Sequence, residues 1–247
     1  ILSLECATNN LQAFIDRLQI CRIGGVILNT ITFEKKQHDH LFSAFREMHL
    51  PVVLMDSAIE DFEIDTIHQD NFKGGLLAAD YACKKGFKNF IWLGPAGLSH
   101  HSRERFGGAC AGLIKHGFLL KEKNILQLEN KTHEDVNLLK ETLKNALLEG
   151  NTPTFVFSLW SSFAYLTSQV FYENKLKIGT DYGFIGWSID ELFDTAYKNT
   201  FNPKFIPPVV AWKSTELADQ TIDRLLYRRK YPEAPASRSL IPVYIYK

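Results

Sequence analysis

The chain lacks the features that would mark it as a nucleic-acid binder, a redox protein or a membrane protein. Its 28 Lys and Arg are balanced by 28 Asp and Glu, so the formal net charge is +0. That balance supplies no electrostatic footprint for a phosphate backbone or an anionic membrane, and the chain alone should bind DNA poorly. The four cysteines, Cys6, Cys21, Cys83 and Cys110, form no Cys-x-x-Cys pair. This removes the usual metal knuckle and redox disulfide and leaves four buried thiols as the expectation. No apolar run approaches the ~18 residues of a membrane span and no basic-then-apolar leader opens the chain, so the expected location is the cytoplasm, with no membrane partner. Low-complexity tracts, internal repeats and Ser/Gly linkers are also missing. Any two lobes must therefore be joined by short ordered crossings.

The common catalytic signatures are absent too, and no enzyme is expected. Neither Gly-x-Gly-x-x-Gly nor a phosphate-binding loop ending in Gly-Lys-Ser/Thr occurs; Gly94-Pro95-Ala96-Gly97 lacks the lysine and the helix-opening glycines. Gly186-Trp187-Ser188-Ile189-Asp190 has a serine after a strand pattern, but an aspartate where a nucleophile elbow needs glycine. His38-Asp39-His40 and His100-His101 present neighbouring side chains that project in different directions. They read as surface histidines, and neither a metal nor another cofactor is expected.

What is present is alternation. Near-continuous apolar runs at Ile1 to Glu5, Gly25 to Asn29, Pro51 to Met55, Phe90 to Gly94, Pro153 to Ser158 and Gly183 to Trp187 suit strands buried on both faces of a parallel sheet. Helical patterns lie between them. From about Arg105 to His116, Phe106, Ala109, Cys110, Leu113 and Ile114 repeat at helical spacing before Gly117. From about Glu134 to Glu149, Leu139, Leu143 and Leu147 share a face, with Thr132 and Asp135 at capping-box spacing. Repeated strand-helix-strand units imply a doubly wound α/β fold, whose ligands bind beyond the carboxyl ends of the strands.

Several passages, in order, resemble the lactose/galactose-repressor (LacI/GalR) family. Gly24-Gly25-Val26-Ile27-Leu28 and Pro51-Val52-Val53-Leu54-Met55-Asp56 are similar to its third and fourth strands, and Gln69-Asp70-Asn71-Phe72-Lys73-Gly74-Gly75 to its crossing into a second lobe. Lys88 to Pro95 followed by Arg105-Phe106-Gly107-Gly108 resembles its strand, loop and Arg-x-x-Gly helix start. Pro153 to Ser158, Asp181 to Gly186 and Ile206 to Trp212 resemble later strands, then come a helix from about Thr215 to Arg229 and a closing strand Leu240 to Tyr244. The chain departs from the family where Trp160-Ser161 replaces an Asn-Asp pair and where Trp187-Ser188 replaces an aromatic residue and an aspartate. The stretch from Glu191 to Phe205 is longer than the family pattern and reads as an extra helix or loop.

The resemblance implies a periplasmic-binding-protein-like type I fold: two doubly wound α/β lobes, a three-stranded hinge and a ligand cleft between them. One lobe would comprise 1–70 and 213–230, the other 71–206 and 236–247. The implied protein is the effector-sensing domain of a bacterial transcriptional regulator, a homodimer that reaches DNA only through a head outside these residues. The head could be the family's own or a winged helix of the GntR type. A periplasmic sugar-binding protein of a transporter is the alternative. Ile1 to Glu5 resembles the family's second strand, so a preceding strand and helix are expected before Ile1.

By the same resemblance the effector is a small molecule, a carbohydrate or a derivative of one. Arg105 offers it a planar fork of donors, unless Arg103, Glu104 and Arg105 are a solvated first helical turn. Trp160 is expected as an aromatic wall, with Trp187 either beside it or in the core. Asp70 is a contact or, with Asn71, a helix cap. Phe157, Ser161 and Ser188 follow from the strand ends, and Ser57, Phe72 and His101 complete the expected lining.

Overall fold

A computed structural model of the protein describes residues 11–29, 35–59, 63–97, 99–127, 133–149, 152–179, 181–201 and 206–247. In chain order its elements are α1 (Leu11–Ile20), β1 (Val26–Leu28), α2 (Lys35–Glu47), β2 (Val52–Met55), β3 (Asp65–Gln69), α3 (Asn71–Lys84), β4 (Asn89–Leu93), α4 (His100–Lys115), β5 (Ile125–Leu126), α5 (His133–Leu148), β6 (Thr154–Ser158), α6 (Trp160–Glu173), β7 (Tyr182–Ile189), α7 (Asp190–Leu192), β8 (Val209–Trp212), α8 (Ser214–Lys230), β9 (Arg238–Ile241) and β10 (Tyr244–Tyr246). Contacts divide the chain into unit 1, Ile1–Gln69 with Thr215–Ile241, and unit 2, Asp70–Ser214 with Pro242–Lys247. The expected strand at Ile1 to Glu5 and the cap at Thr132 lie outside the described residues.

Unit 1 is a four-stranded parallel sheet in the order β1-β2-β3-β9. Ile15 and Leu18 of α1 and Leu41, Phe42 and Phe45 of α2 recur at helical spacing and bury against Val26, Leu28 and Leu54 of the sheet. Each such side chain contributes roughly 1.5–3 kcal/mol of burial. β3 is different, because Asp-Thr-Ile-His-Gln is nearly all polar and yet buried throughout. A buried polar strand persists only when its groups are partnered. Asp65 binds Arg224 at 2.6 Å and Arg228 at 2.7 Å and accepts from the Ser237 amide at 2.8 Å. Arg238 Nε donates to His68 Nε2 at 2.8 Å, which fixes the ring as the neutral tautomer donating from Nδ1 to the Gln69 carbonyl at 2.9 Å.

Unit 2 is a six-stranded sheet in the order β10-β8-β7-β6-β4-β5, parallel except for the antiparallel edge strand β10. The expected continuous apolar strands are there: β6 is buried at all five positions and β4 at four. Leu139, Leu143 and Leu147 of α5 are buried together as their spacing predicts, whereas Ile114 of α4 is 59% exposed. The closing segment departs from its expected form. Instead of one strand in the second lobe it makes two: β9 joins β3 in unit 1, and after Pro242, which cannot donate to a ladder, β10 joins β8 in unit 2. Residues 236–241 thus belong to unit 1.

Candidate functional site

Open parallel sheets bind ligands beyond the carboxyl ends of their strands. In unit 2 those ends carry Trp92 of β4, Phe157 of β6, Trp187 of β7 and Trp212 of β8. Arg105 reaches them from α4. Its helix begins five residues before the expected start, because Ser99 and Ser102 form a reciprocal capping box in which each hydroxyl accepts the other residue's amide. Arg105 therefore lies in the second turn rather than in a solvated first turn, and it is only 3% exposed.

The guanidinium carbon lies 5.6 Å from the ring centroids of both Trp187 and Trp212, so the cation sits against the negative faces of two indoles. Its Nε donates to Asn71 Oδ1 at 2.7 Å. Two glycines allow that approach. A Cβ on Gly75 would lie 2.2 Å from the Arg105 carbonyl oxygen and one on Gly108 would lie 2.0 Å from the Phe72 carbonyl oxygen, both far inside van der Waals contact. With hydrogen in those places α3 and α4 meet backbone to backbone, which brings Asn71 within reach of Arg105.

Asn71 is the residue that sequence reasoning undervalued. Only one member of an Asp-Asn pair can occupy a helix N-cap, and the structure gives that position to Asp70, whose side chain accepts the Lys73 amide at 2.9 Å. Asn71 enters the first turn with its amide directed to Arg105, 1% exposed. Trp92 and Trp212, read as strand residues, are the other members missed. Trp92 packs edge-on against Trp187 with centroids 6.1 Å apart.

The remaining expected residues are placed variously. Trp187 is buried beside Arg105, as the core alternative expected. Phe157 is fully buried and stacked on Phe90, a packing position. Trp160 opens α6 with φ +64°, a left-handed conformation rare for a bulky residue, and stacks on Phe163 at 6.1 Å. Ser161 beside it is exposed. Ser188 is half-buried, its hydroxyl donating to the Ile189 carbonyl at 3.1 Å. Phe72, in the first turn of α3, is 44% exposed, and its ring lies 3.7 Å from where a Cβ on Gly107 would be. His101 is buried in α4, not the surface histidine expected, while His100 pairs with Glu104 at 3.2 Å. Ser57 belongs to unit 1, buried just past β2 and next to Asp56, another residue with positive φ.

Residues 3–158 match the family model described as periplasmic binding proteins and sugar binding domain of LacI family. The chain belongs to this family. It is 24% identical over 219 residues to the maltose regulon regulatory protein MalI of Escherichia coli, covering 83% of this chain and 59% of that protein. It is 22% identical over 230 residues to the HTH-type transcriptional repressor PurR of Mannheimia succiniciproducens, covering 91% of this chain and 64% of that protein. The chain thus spans less than two thirds of the length of either relative. Among solved structures, a LacI family transcriptional regulator from Enterococcus faecium with bound ribose superimposes with a TM-score of 0.75 at 19% identity, over 100% of this chain and 85% of that one. That likeness establishes the two-unit α/β fold.

The stretch after β7, unexplained by the family pattern, is described up to Phe201. It forms α7, a π-helical turn Phe193–Tyr197 and a 3-10 turn Lys198–Thr200. Phe193, Tyr197 and Phe201 stack in succession with centroids 5.6 and 4.8 Å apart, and Phe193 meets Tyr246 of β10 edge-on at 5.1 Å. The Tyr246 hydroxyl donates to Asp194 at 2.8 Å, Tyr244 donates to Asp190, and Glu191 accepts the Ser214 amide at 3.1 Å. Residues 202–205 lie outside the described residues. No described helix is long and apolar enough to cross a membrane.

A recess of about 1080 Å³ opens in unit 1, lined by Phe42, Phe45, Arg46, Glu63, Arg228 and Glu233 among others. It lies at the amino ends of β1, β2 and β3, away from the strand ends where α/β sheets hold ligands. Its buried carboxylate, Asp65, is already committed to Arg224 and Arg228. We place the candidate site at Arg105.

Proposed function

We propose that the chain is the effector-binding domain of a bacterial, cytoplasmic transcriptional regulator, a sensor rather than an enzyme. It takes a small molecule, a sugar or sugar derivative, and reports its occupancy to a DNA-binding head outside these residues. The observation that carries the reading is the buried guanidinium of Arg105, held by Asn71 between two indoles at the carboxyl end of a parallel sheet. Such a group fixes polar substituents of a ligand while flat rings accept its apolar faces. The relatives named above, a regulon regulatory protein and a repressor, favour regulation over solute delivery to a transporter. The ligand shifts populations only by its differential affinity for two states, and ~1–3 kcal/mol of coupling is enough to switch operator affinity several-fold to a hundredfold. A two-fold homodimer would match symmetric DNA half-sites, and light scattering at micromolar concentration checks it.

A thermal-shift screen over mono- and disaccharides, sugar phosphates, sugar acids and nucleobases tests the proposal. A ligand at ~100 times its dissociation constant stabilises by ~2.7 kcal/mol, which such a screen detects. For any ligand found, Arg105→Ala should weaken binding by ~1.5–3 kcal/mol, the scale of a hydrogen bond to a charged group. Unchanged affinity by calorimetry would refute the assignment of Arg105.

A further inference from the structure

We infer that the segment after β7 is a clasp: through Glu191 and Asp190 it ties together two neighbouring crossings of the chain, so that neither changes backbone conformation without the other. The chain passes between its units at three places, Gln69–Asp70, Ser214–Thr215 and Ile241–Pro242. Residues at the ends of elements are where a change of one unit against another is absorbed as φ/ψ change. Whatever holds them sets the cost of that change.

The sheet register brings the parts together. β7 and β8 run parallel with Ile189 beside Trp212, so Glu191 comes level with Ser214, two residues past each strand end. Ser214 opens α8, and an amide in the first turn has no carbonyl of its own helix to bind. Both carboxylate oxygens of Glu191 accept that amide, at 3.1 and 3.2 Å, and a negative charge there also suits the helix dipole. On the other side of β8, Tyr244 of β10 pairs with Ala211, two residues after Pro242. Its phenol spans the width of β8 and donates to Asp190. Adjacent residues of one short turn, α7, thus hold both crossings. The remaining crossing has an anchor of its own, Asp70 on the Lys73 amide.

The turn can hold them because the residues that follow it are themselves anchored. Phe193, Tyr197 and Phe201 are buried. Gly186 of β7 admits the Tyr197 side chain, since a Cβ there would lie 2.1 Å from the phenol oxygen. Tyr246 adds a second tie to β10, its hydroxyl donating to Asp194 and its ring meeting Phe193 edge-on. Phe193 and Tyr197 bound a π-helical turn, a rare form that is frequent at functional sites. A stretch that only lengthened a surface loop would need neither these buried rings nor carboxylates placed on both crossings.

The test is amide-resolved hydrogen exchange on the full chain, and it does not depend on any effector. Glu191→Ala should speed exchange of the Ser214 amide by about ten-fold or more, the scale of a lost hydrogen bond to a charged group. The decisive readout is at the other crossing: amides of β10, which Glu191 does not bond, should exchange at least about three-fold faster in the same variant. Tyr244→Phe, which loses only a hydroxyl, should in turn speed the Ser214 amide. Glu191→Gln keeps an acceptor oxygen and should restore most of the protection at both crossings. Amides of β4 and β6, in the middle of the sheet, should keep their rates in all three variants. A change confined in each variant to the crossing it touches would show two independent anchors and overturn the inference. An equal rise at β4 and β6 in both Glu191→Ala and Tyr244→Phe would overturn it as well, as an ordinary loss of stability.

Discussion

Adjacent glycines in α4 should respond in opposite directions to the same substitution. Gly108 faces α3, where an added Cβ would meet the Phe72 carbonyl oxygen at 2.0 Å; Gly107 faces outward, its nearest neighbour the Phe72 ring at 3.7 Å. Alanine at 108 forces the two helix backbones apart by more than an ångström. Overpacking of that kind costs ~1–3 kcal/mol, and stretching the Arg105–Asn71 hydrogen bond removes up to ~1.5–3 more; the better helix propensity of alanine returns only ~1. The net expectation for Gly108→Ala is a loss of ~2–4 kcal/mol together with weakened effector binding. At Gly107 the propensity acts alone, and alanine should stabilise by ~0.5–1 kcal/mol. Urea unfolding followed by tryptophan fluorescence measures both, because Trp92, Trp187 and Trp212 surround the junction. With slopes of ~2 kcal/mol/M, Gly108→Ala should lower the midpoint by ~1–2 M. Equal midpoints for the two variants would refute the claim that glycine at 108 sets the α3–α4 distance.

Other expectations concern sites elsewhere. Burial by itself would raise the Asp65 carboxyl, but hydrogen bonds from Arg228, Arg224 and the Ser237 amide outweigh it and hold the group below the ordinary carboxylate value. A depressed folded-state value means that this stabilisation is complete above the unfolded carboxyl range and is lost as pH falls below about 4. Asp65→Asn should remove the acid-dependent part of the unit 1 unfolding curve and cost about 3 kcal/mol at neutral pH, since it leaves two arginines without their charge partner. An unaltered acid limb in that variant would show that the ion pairs contribute nothing. Cysteine labelling should be graded: Cys21 is exposed, whereas burial raises the thiols of Cys83 and Cys110. Peptide mapping after brief reaction at pH 8 should find Cys21 modified well before the other two. The expectation of buried thiols thus fails at Cys21 and is met only in part at Cys83 and Cys110, which are half-buried, and Cys6 lies outside the described residues.

Much of the architecture was legible because unit 2 uses apolar strands, and Phe90-Ile91-Trp92-Leu93 can hardly be anything but a buried strand. β3 escaped the same reading because its burial depends on ion pairs with arginines more than 150 residues away, which no local pattern encodes. The start of α4 was missed for a smaller reason: Ser99 and Ser102 cap each other, and the usual signal is an acidic or amide partner at the fourth position. At the site, Arg105 was legible from its resemblance to a motif. Asn71 was half-legible, since an Asp-Asn pair holds one residue more than a cap requires. The indoles of Trp92 and Trp212 could not be assigned to the site, because an apolar residue at a strand end reads the same whether it meets core or cation.

The pairing of β3 with β9 joins residues about 170 positions apart, Thr66 with Arg238 and Gln69 with Ile241. On the ribosome, the segment up to Gln69 emerges before its fourth strand and α8, and Asp65 waits for Arg228 until 163 further residues have been made. Unit 2 has almost all its elements in one uninterrupted stretch and can form in the interval. Synthesis at ~5–20 residues per second makes that interval ~10–30 s. During it the sheet edge of β3 and its buried acid are open to wrong partners, so translation pauses or chaperone demand should concentrate between the emergence of β3 and that of β9.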